Sequence, residues 1–153
     1  MITQLDRKSL ISLATTGSCA LLGGAFLFQF FGYAPCELCL WQRWPHGAAI
    51  LVGAVALSLG YAGLAWLGAL AAVIAGGLGV YHTGVERHWW QGPDSCTGSG
   101  GLDMTSLLST DGSNVVLCDQ VSWQMLGLSM ASWNALASFG LVILWLMAAR
   151  RRD

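Results

Sequence analysis

Apolar residues in this chain come in four long runs, not in short alternating clusters. The first covers about 10–31 and carries no charge. The second covers about 40–59, with Arg43 near its start as its only charge. The third covers about 64–81 and the fourth about 130–149, where Arg150, Arg151 and Arg152 end it. Each run is close to the roughly 20 apolar residues that a helix needs to cross a bilayer. The pattern predicts an all-α membrane protein, a bundle of four transmembrane helices forming one integral domain over 1–153. Runs two and three meet at Gly60-Tyr61-Ala62-Gly63, a turn signal that makes them a helical hairpin. Two stretches stay outside the membrane, a short loop at about 32–39 and a long one at about 86–129.

Composition narrows the classes further. Of 153 residues, 55% are apolar and 10% charged, against about 25% charged in an average soluble domain. An ordinary soluble domain and a disordered chain are both excluded. A net charge of −1 gives no basic surface for nucleic acid. Arg7 and Lys8 precede the first run as in a signal peptide, but a signal core is only about 7–15 residues long. Tyr33-Ala34-Pro35 is also a poor cleavage site, so the run reads as a retained span.

Arg7, Lys8, Arg150, Arg151 and Arg152 flank the outermost runs, and the positive-inside rule then puts both ends in the cytoplasm. Both loops face outward. The long one is acidic, with Glu86, Asp94, Asp103, Asp111 and Asp119 against Arg87. Gly68, Ala72, Ala75, Gly76 and Gly79 along run three predict close helix packing. Trp41, Trp44, Trp89, Trp90, Trp123 and Trp133 fall near the outer interface, as an aromatic belt would. A flat cofactor ring could also stack on one of them.

The cysteines bring in chemistry. Cys19 lies within run one and reads as a buried small hydrophobe. Cys36, Cys39, Cys96 and Cys118 all fall in the outward segments. An even outward set in an oxidising compartment predicts two disulfides. Three readings compete: inert braces, a four-thiolate zinc site, and redox exchange. Cys36-Glu37-Leu38-Cys39 closes too short a loop to brace anything. The C-x-x-C spacing lowers thiol pKa and forms a reducible ring, so redox exchange leads.

Arg43 follows Cys39 by four residues, Gln42 by three and His46 by seven, which places them on one helix face. An arginine within a span points to function. It suits a Cys39 thiolate or an electron-rich acceptor ring. Pro45 disfavours helix at Trp44, so a later helix start or a kink is expected. Glu37 inside the C-x-x-C is expected to raise neighbouring thiol pKa values. Neither a dinucleotide fingerprint nor a haem-attachment histidine is present. A thiol pair at the membrane edge can instead reduce a lipid-soluble quinone.

These residues resemble the DsbB family of bacterial inner-membrane thiol oxidases. The likeness rests on three stretches and on the four-span pattern. The first is Cys36-Glu37-Leu38-Cys39-Leu40-Trp41-Gln42-Arg43-Trp44-Pro45, and the second Tyr81-His82-Thr83-Gly84-Val85-Glu86. The third is Cys118-Asp119 followed by Trp123 and Leu126-Gly127-Leu128-Ser129-Met130. The resemblance implies periplasmic loops, a DsbA-type thioredoxin-fold oxidase as partner, and ubiquinone or menaquinone as acceptor. It implies that Cys96 and Cys118 form the loop disulfide and that Cys96 takes the mixed disulfide with the partner. Cys118 would then attack Cys36, freeing Cys39 as the thiolate that donates to quinone. It implies a quinone site at Arg43, with His82 nearby.

Gly98, Gly100 and Gly101 would keep the Cys96 arm mobile. Leu102, Met104, Leu107 and Leu108 have the spacing of a short helix lying on the membrane. No metal is expected. The rival from another class is a membrane scaffold with purely structural disulfides.

Overall fold

The computed structural model describes residues 5–96 and 116–151. Four long helices carry the fold: α1 (Arg7–Phe30), α2 (Glu37–Leu59), α3 (Leu64–Glu86) and α4 (Met130–Arg150). Between α3 and α4 lies a two-stranded antiparallel hairpin, β1 (Gln124–Met125) and β2 (Leu128–Ser129). Gly98, Gly100, Gly101 and the 102–108 segment lie outside the described residues.

The helices match the four apolar runs, with two informative differences. α2 begins at Glu37 and is assigned continuously through Pro45, so the expected late start does not occur. Cys36 caps its N-terminus: the Cys36 Sγ accepts the backbone N–H of Cys39 at 3.2 Å. Such a cap satisfies one of the donors that a helix start leaves open. α3 runs five residues past position 81, to Glu86. His82, Gly84 and Val85 continue its buried face, and the Thr83 hydroxyl donates to the Gly79 carbonyl at 2.9 Å. This extension puts His82 and Glu86 on a rigid helix, not in a loop.

Three helices, α1, α3 and α4, are long and apolar enough to cross a membrane. In α2, Gln42, Arg43 and His46 crowd the first half and dilute its apolar character. Gly60, at φ 68°, ends α2 in the left-handed region, where glycine is favoured. The expected turn into α3 follows.

Packing follows the small residues. Gly68, Ala72, Ala75, Gly76 and Gly79 are all buried on α3. A Cβ at Gly68 would sit 2.5 Å from the ring of Trp145, which is itself fully buried. A Cβ at Gly79 would meet the Ala131 carbonyl and Ala135 at 3.0 Å. α3 therefore approaches α4 almost backbone to backbone. The apolar core lies toward the opposite end from the cysteines, around Leu10, Ile11, Ala14, Ala65, Ala69 and Trp145. At that end the Arg7 side chain donates to the Arg151 carbonyl at 2.5 Å. Cys19 differs from expectation: it is exposed on the outside of α1, because the buried face of that helix runs through Leu10, Ile11, Ala14 and Ser18.

The hairpin turn is Leu126-Gly127, both at positive φ (54° and 77°), the backbone that two-residue hairpins favour. The Trp133 ring nitrogen donates to the Met125 carbonyl at 3.2 Å, and the Ser129 hydroxyl caps α4. The hairpin is thus folded onto the start of α4. Replacing Gly79 by Val should force α3 and α4 apart and cost about 1–3 kcal/mol of stability. Thermal unfolding in detergent, compared with Gly77→Val at a site with open space, measures it.

Candidate active site

Cys36, Cys39, Cys96 and Cys118 meet at one end of the bundle. Cys96 and Cys118 form a disulfide with Cα atoms 5.2 Å apart. Cys36 and Cys39 are free thiols whose sulfurs lie 2.7 Å apart, so closing a bond between them needs little movement. Cys36, Cys96 and Cys118 pack with Leu38 and Val85 in one buried cluster, and Cys39 packs against it. Their exposures are 4%, 3% and 0% for Cys36, Cys96 and Cys118. The loop disulfide therefore rests against the C-x-x-C and is shielded from solvent. The paired state of Cys96 and Cys118 also removes the four-thiolate zinc arrangement.

The two C-x-x-C thiols are not equivalent. The hydrogen bond to Cys39, reinforced by burial, pushes the Cys36 thiol well above the usual thiol range. Cys39 sits in the first helical turn, where the helix N-terminus favours a thiolate. Glu37 occupies the same turn, and its carboxylate accepts the hydroxyl of Ser95. That contact ties the residue next to Cys96 to the start of α2.

Cys39 opens onto a cavity of about 310 Å³. Gln42, Arg43, His46 and His82 all line it, joined by Asn134 of α4. The remainder of the wall is largely apolar, with Leu21, Phe28, Tyr33, Trp123, Met130 and Trp133. The shared helix face expected of Cys39, Gln42, Arg43 and His46 is thus present. Trp123 and Trp133 leave the exposed aromatic set and form cavity wall. Trp41, Trp44, Trp89 and Trp90 remain exposed.

Arg43 is held by α1. Its Nη1 donates to Gln29 Oε1 at 2.8 Å, its Nη2 to the Ala25 carbonyl at 3.4 Å, and its guanidinium lies 4.8 Å from the Phe26 ring centre. Its Nε is buried and has no hydrogen-bond partner among the described residues.

His82 stands between the cysteines and the cavity. Its Nε2 is 3.5 Å from Cys36 Sγ and 3.8 Å from Glu86 Oε1, with the Cys118 backbone beside it. Its Nδ1 is 2.8 Å from Gln42 Nε2. Gln42 Nε2 also donates to the Leu38 carbonyl at 3.2 Å. Asn134 then joins Gln42 to His46: its Nδ2 donates to Gln42 Oε1 at 2.7 Å, and its Oδ1 lies 2.9 Å from His46 Nε2.

Asn134, Glu86, Gln29 and Ser95 were not among the sequence candidates for the site. Asn134 could have been found as a polar residue near the start of an apolar run. Glu86, four residues after His82, could have been found by helical spacing, whereas Gln29 and Ser95 are ordinary polar residues whose partners come from distant elements.

Cys36, Cys39 and His82 place ligand atoms within 4.8 Å of one another. Thiols and an imidazole are soft ligands of the kind zinc takes, but the surroundings of His82 oppose that role. A histidine that binds metal through Nε2 carries its proton on Nδ1 and donates it outward. Here a donating amide already faces Nδ1.

A family model described as "Disulfide bond formation protein DsbB" matches residues 7–148. The chain is 32% identical to "Disulfide bond formation protein B" of Azoarcus sp. (strain BH72), over 99% of both chains. It is 32% identical to the protein of that name in Stutzerimonas stutzeri (strain A1501), over 95% of this chain and 96% of the other. To the one in Dechloromonas aromatica (strain RCB) it is 31% identical, over 85% and 84%. No solved structure matches the chain significantly.

In the reduced protein, iodoacetamide at pH 8 should modify Cys39 at least about tenfold faster than Cys36. A raised pKa keeps Cys36 protonated through the range where ordinary thiols ionise. Its alkylation rate should therefore still be climbing above pH 9, and peptide mass spectrometry across pH 7–10 reads both sites.

Proposed function

This chain belongs to the DsbB family of disulfide bond formation proteins, and from that premise we propose that it is a membrane thiol:quinone oxidoreductase. In this reading it reoxidises a periplasmic thioredoxin-fold dithiol oxidase of the DsbA type. The observation that carries the proposal is the joint burial of both cysteine pairs, with Cys39 at the wall of an apolar cavity. The rival scaffold is not favoured. Two free thiols 2.7 Å apart brace nothing, and the relatives bear a disulfide-forming name.

The relay runs by thiol–disulfide exchange. A partner thiolate attacks Cys96, the Cys96–Cys118 bond breaks, and Cys118 leaves as a thiolate. Cys118 attacks Cys36 within the oxidised C-x-x-C, and Cys39 leaves with the electron pair. Because Cys36 and Cys118 already share one cluster, the second exchange needs little loop travel. Arg43, one helical turn on, stabilises the Cys39 thiolate by opposite charge.

The cavity fits a quinone head group. Its wall is largely apolar, and Arg43 brings a buried N–H without a partner among the described residues, suited to a carbonyl oxygen. Arg43 would hold the ring, with Gln42, His46 and His82 along the same wall. When bound, a quinone supplies a two-electron acceptor, ubiquinone and menaquinone being the two candidates.

We assign α2 as the fourth span, its polar first half turned to the cavity and not to lipid. Arg7, Lys8, Arg150 and Arg151 gather at the end opposite the cysteines. The positive-inside rule puts that end in the cytoplasm and the redox loops in the periplasm of a bacterial inner membrane.

Purified protein with a reduced DsbA-type oxidase and ubiquinone should show turnover that both Cys39→Ser and Cys96→Ser abolish. Turnover with dithiothreitol but not with the oxidase would reject the partner alone. No turnover with either donor, in ubiquinone and in menaquinone, would reject the enzyme. Arg43→Leu should raise the KM for quinone by about tenfold, equivalent to losing one charged hydrogen bond of about 1.5 kcal/mol.

A further inference from the structure

The polar chain between the two histidines has a fixed direction, set by backbone atoms. A carbonyl can only accept. The Leu38 carbonyl receives Gln42 Nε2, and the Ala75 carbonyl lies 3.5 Å from Asn134 Nδ2. The Gln42 amide therefore turns its Nε2 toward His82 Nδ1 and its Oε1 toward Asn134 Nδ2. Asn134 Oδ1 is left for His46 Nε2. Facing a donor, His82 Nδ1 must be the unprotonated nitrogen, so the ring proton sits on Nε2. Two acceptors lie by that nitrogen, Cys36 Sγ at 3.5 Å and Glu86 Oε1 at 3.8 Å. Glu86 is itself held by the hydroxyl of Ser129.

We propose that Asn134 and Gln42 are positioning residues that lock His82 in its Nε2–H form, so that His82 donates a hydrogen bond to Cys36 sulfur. The inference rests on the relay described above and concerns the step that resets it. With Cys36 and Cys118 bridged, the Cys96 thiolate attacks Cys118. The Cys96–Cys118 bond forms, the Cys36–Cys118 bond breaks, and the electron pair leaves on Cys36. That sulfur is buried among apolar neighbours, where a bare thiolate is a poor leaving group. His82 Nε2–H adds a second donor to the Cys39 backbone N–H that this sulfur already accepts. In this form His82 is a donor to Cys36 and not the base that removes its proton.

The test uses the full chain in lipid nanodiscs, ¹⁵N-labelled at histidine, with His82→Asn to assign the ring signals. Wild-type His82 should show a protonated Nε2 and an unprotonated Nδ1. Asn134→Leu removes the donor to Gln42 Oε1, so the Nδ1–H form should appear beside it, and Asn134→Gln should restore the single form. Gln42→Leu removes the donor to Nδ1 directly and should give the same mixture, which keeps the test open if Asn134→Leu does not fold.

The second readout is made in a Cys39→Ser background. There the rate at which Cys96 displaces Cys36 from Cys118 should fall about tenfold with Asn134→Leu, and recover with Asn134→Gln. A role in packing alone would leave the tautomer unchanged. Wild-type His82 protonated on Nδ1, or a tautomer and exchange rate unmoved by both leucine variants, would overturn the proposal. Neither readout needs quinone or partner, so each reports on this inference separately from the function assigned above.

Discussion

The distance between α3 and α4 is the constraint on which the site depends. At Gly79 a single added carbon would touch the α4 backbone, and this closeness brings short polar side chains of the two helices together. Thr83 reaches Ser132 at 3.1 Å, Ser129 reaches Glu86, and Asn134 comes within 3.5 Å of the Ala75 carbonyl. Lipid offers helices no hydrophobic drive to associate, so close packing and interhelical hydrogen bonds must do so. The same contacts that hold the cysteine-bearing half of the bundle together also orient its reactive residues. The opposite half relies on the Trp145 ring seated over Gly68.

The two ends of the C-x-x-C face different environments. Cys36 lies on the loop side, under the disulfide and beside His82. Cys39, one turn into α2, opens onto the cavity. A cysteine pair with one sulfur toward each side can, as a disulfide, take electrons from the loop thiols and, once reduced, pass them to an acceptor in the cavity without large motion. Arg43 adds to this separation. Its anchorage to Gln29, Ala25 and Phe26 keeps the positive charge at the cavity and away from the loop cluster.

Glu37 has a role other than the one its position between the two cysteines implies. Of the two nearby carboxylates, Glu86 helps raise the Cys36 thiol and Glu37 is not among the causes. The Glu37 carboxylate is engaged by Ser95 and sits at the positive end of α2. It therefore couples the C-x-x-C to the arm that carries Cys96. The loop disulfide lies closed against the site, with Cys96 and Cys118 both buried.

The four helices were legible in the sequence as long apolar runs, and in α1, α3 and α4 local residues alone meet the length and apolarity that crossing a bilayer requires. The C-x-x-C, the face shared by Cys39, Gln42, Arg43 and His46, and the small-residue stripe of α3 were legible for a similar reason. Each depends on spacing within a single helix, and helical geometry turns spacing into direction. Pro45 shows the limit of local reasoning, since packing and the Cys36 cap carry the helix through a residue that locally opposes it. Asn134, Ser95 and Gln29 could not be assigned from spacing, because each acts on a residue from another element, whereas Glu86 stands four residues after His82 on α3. The burial of the loop disulfide and the direction of the amide chain were likewise decided only in three dimensions. A hydrogen bond takes its direction from both partners, and here the partners lie dozens of residues apart until the helices pack.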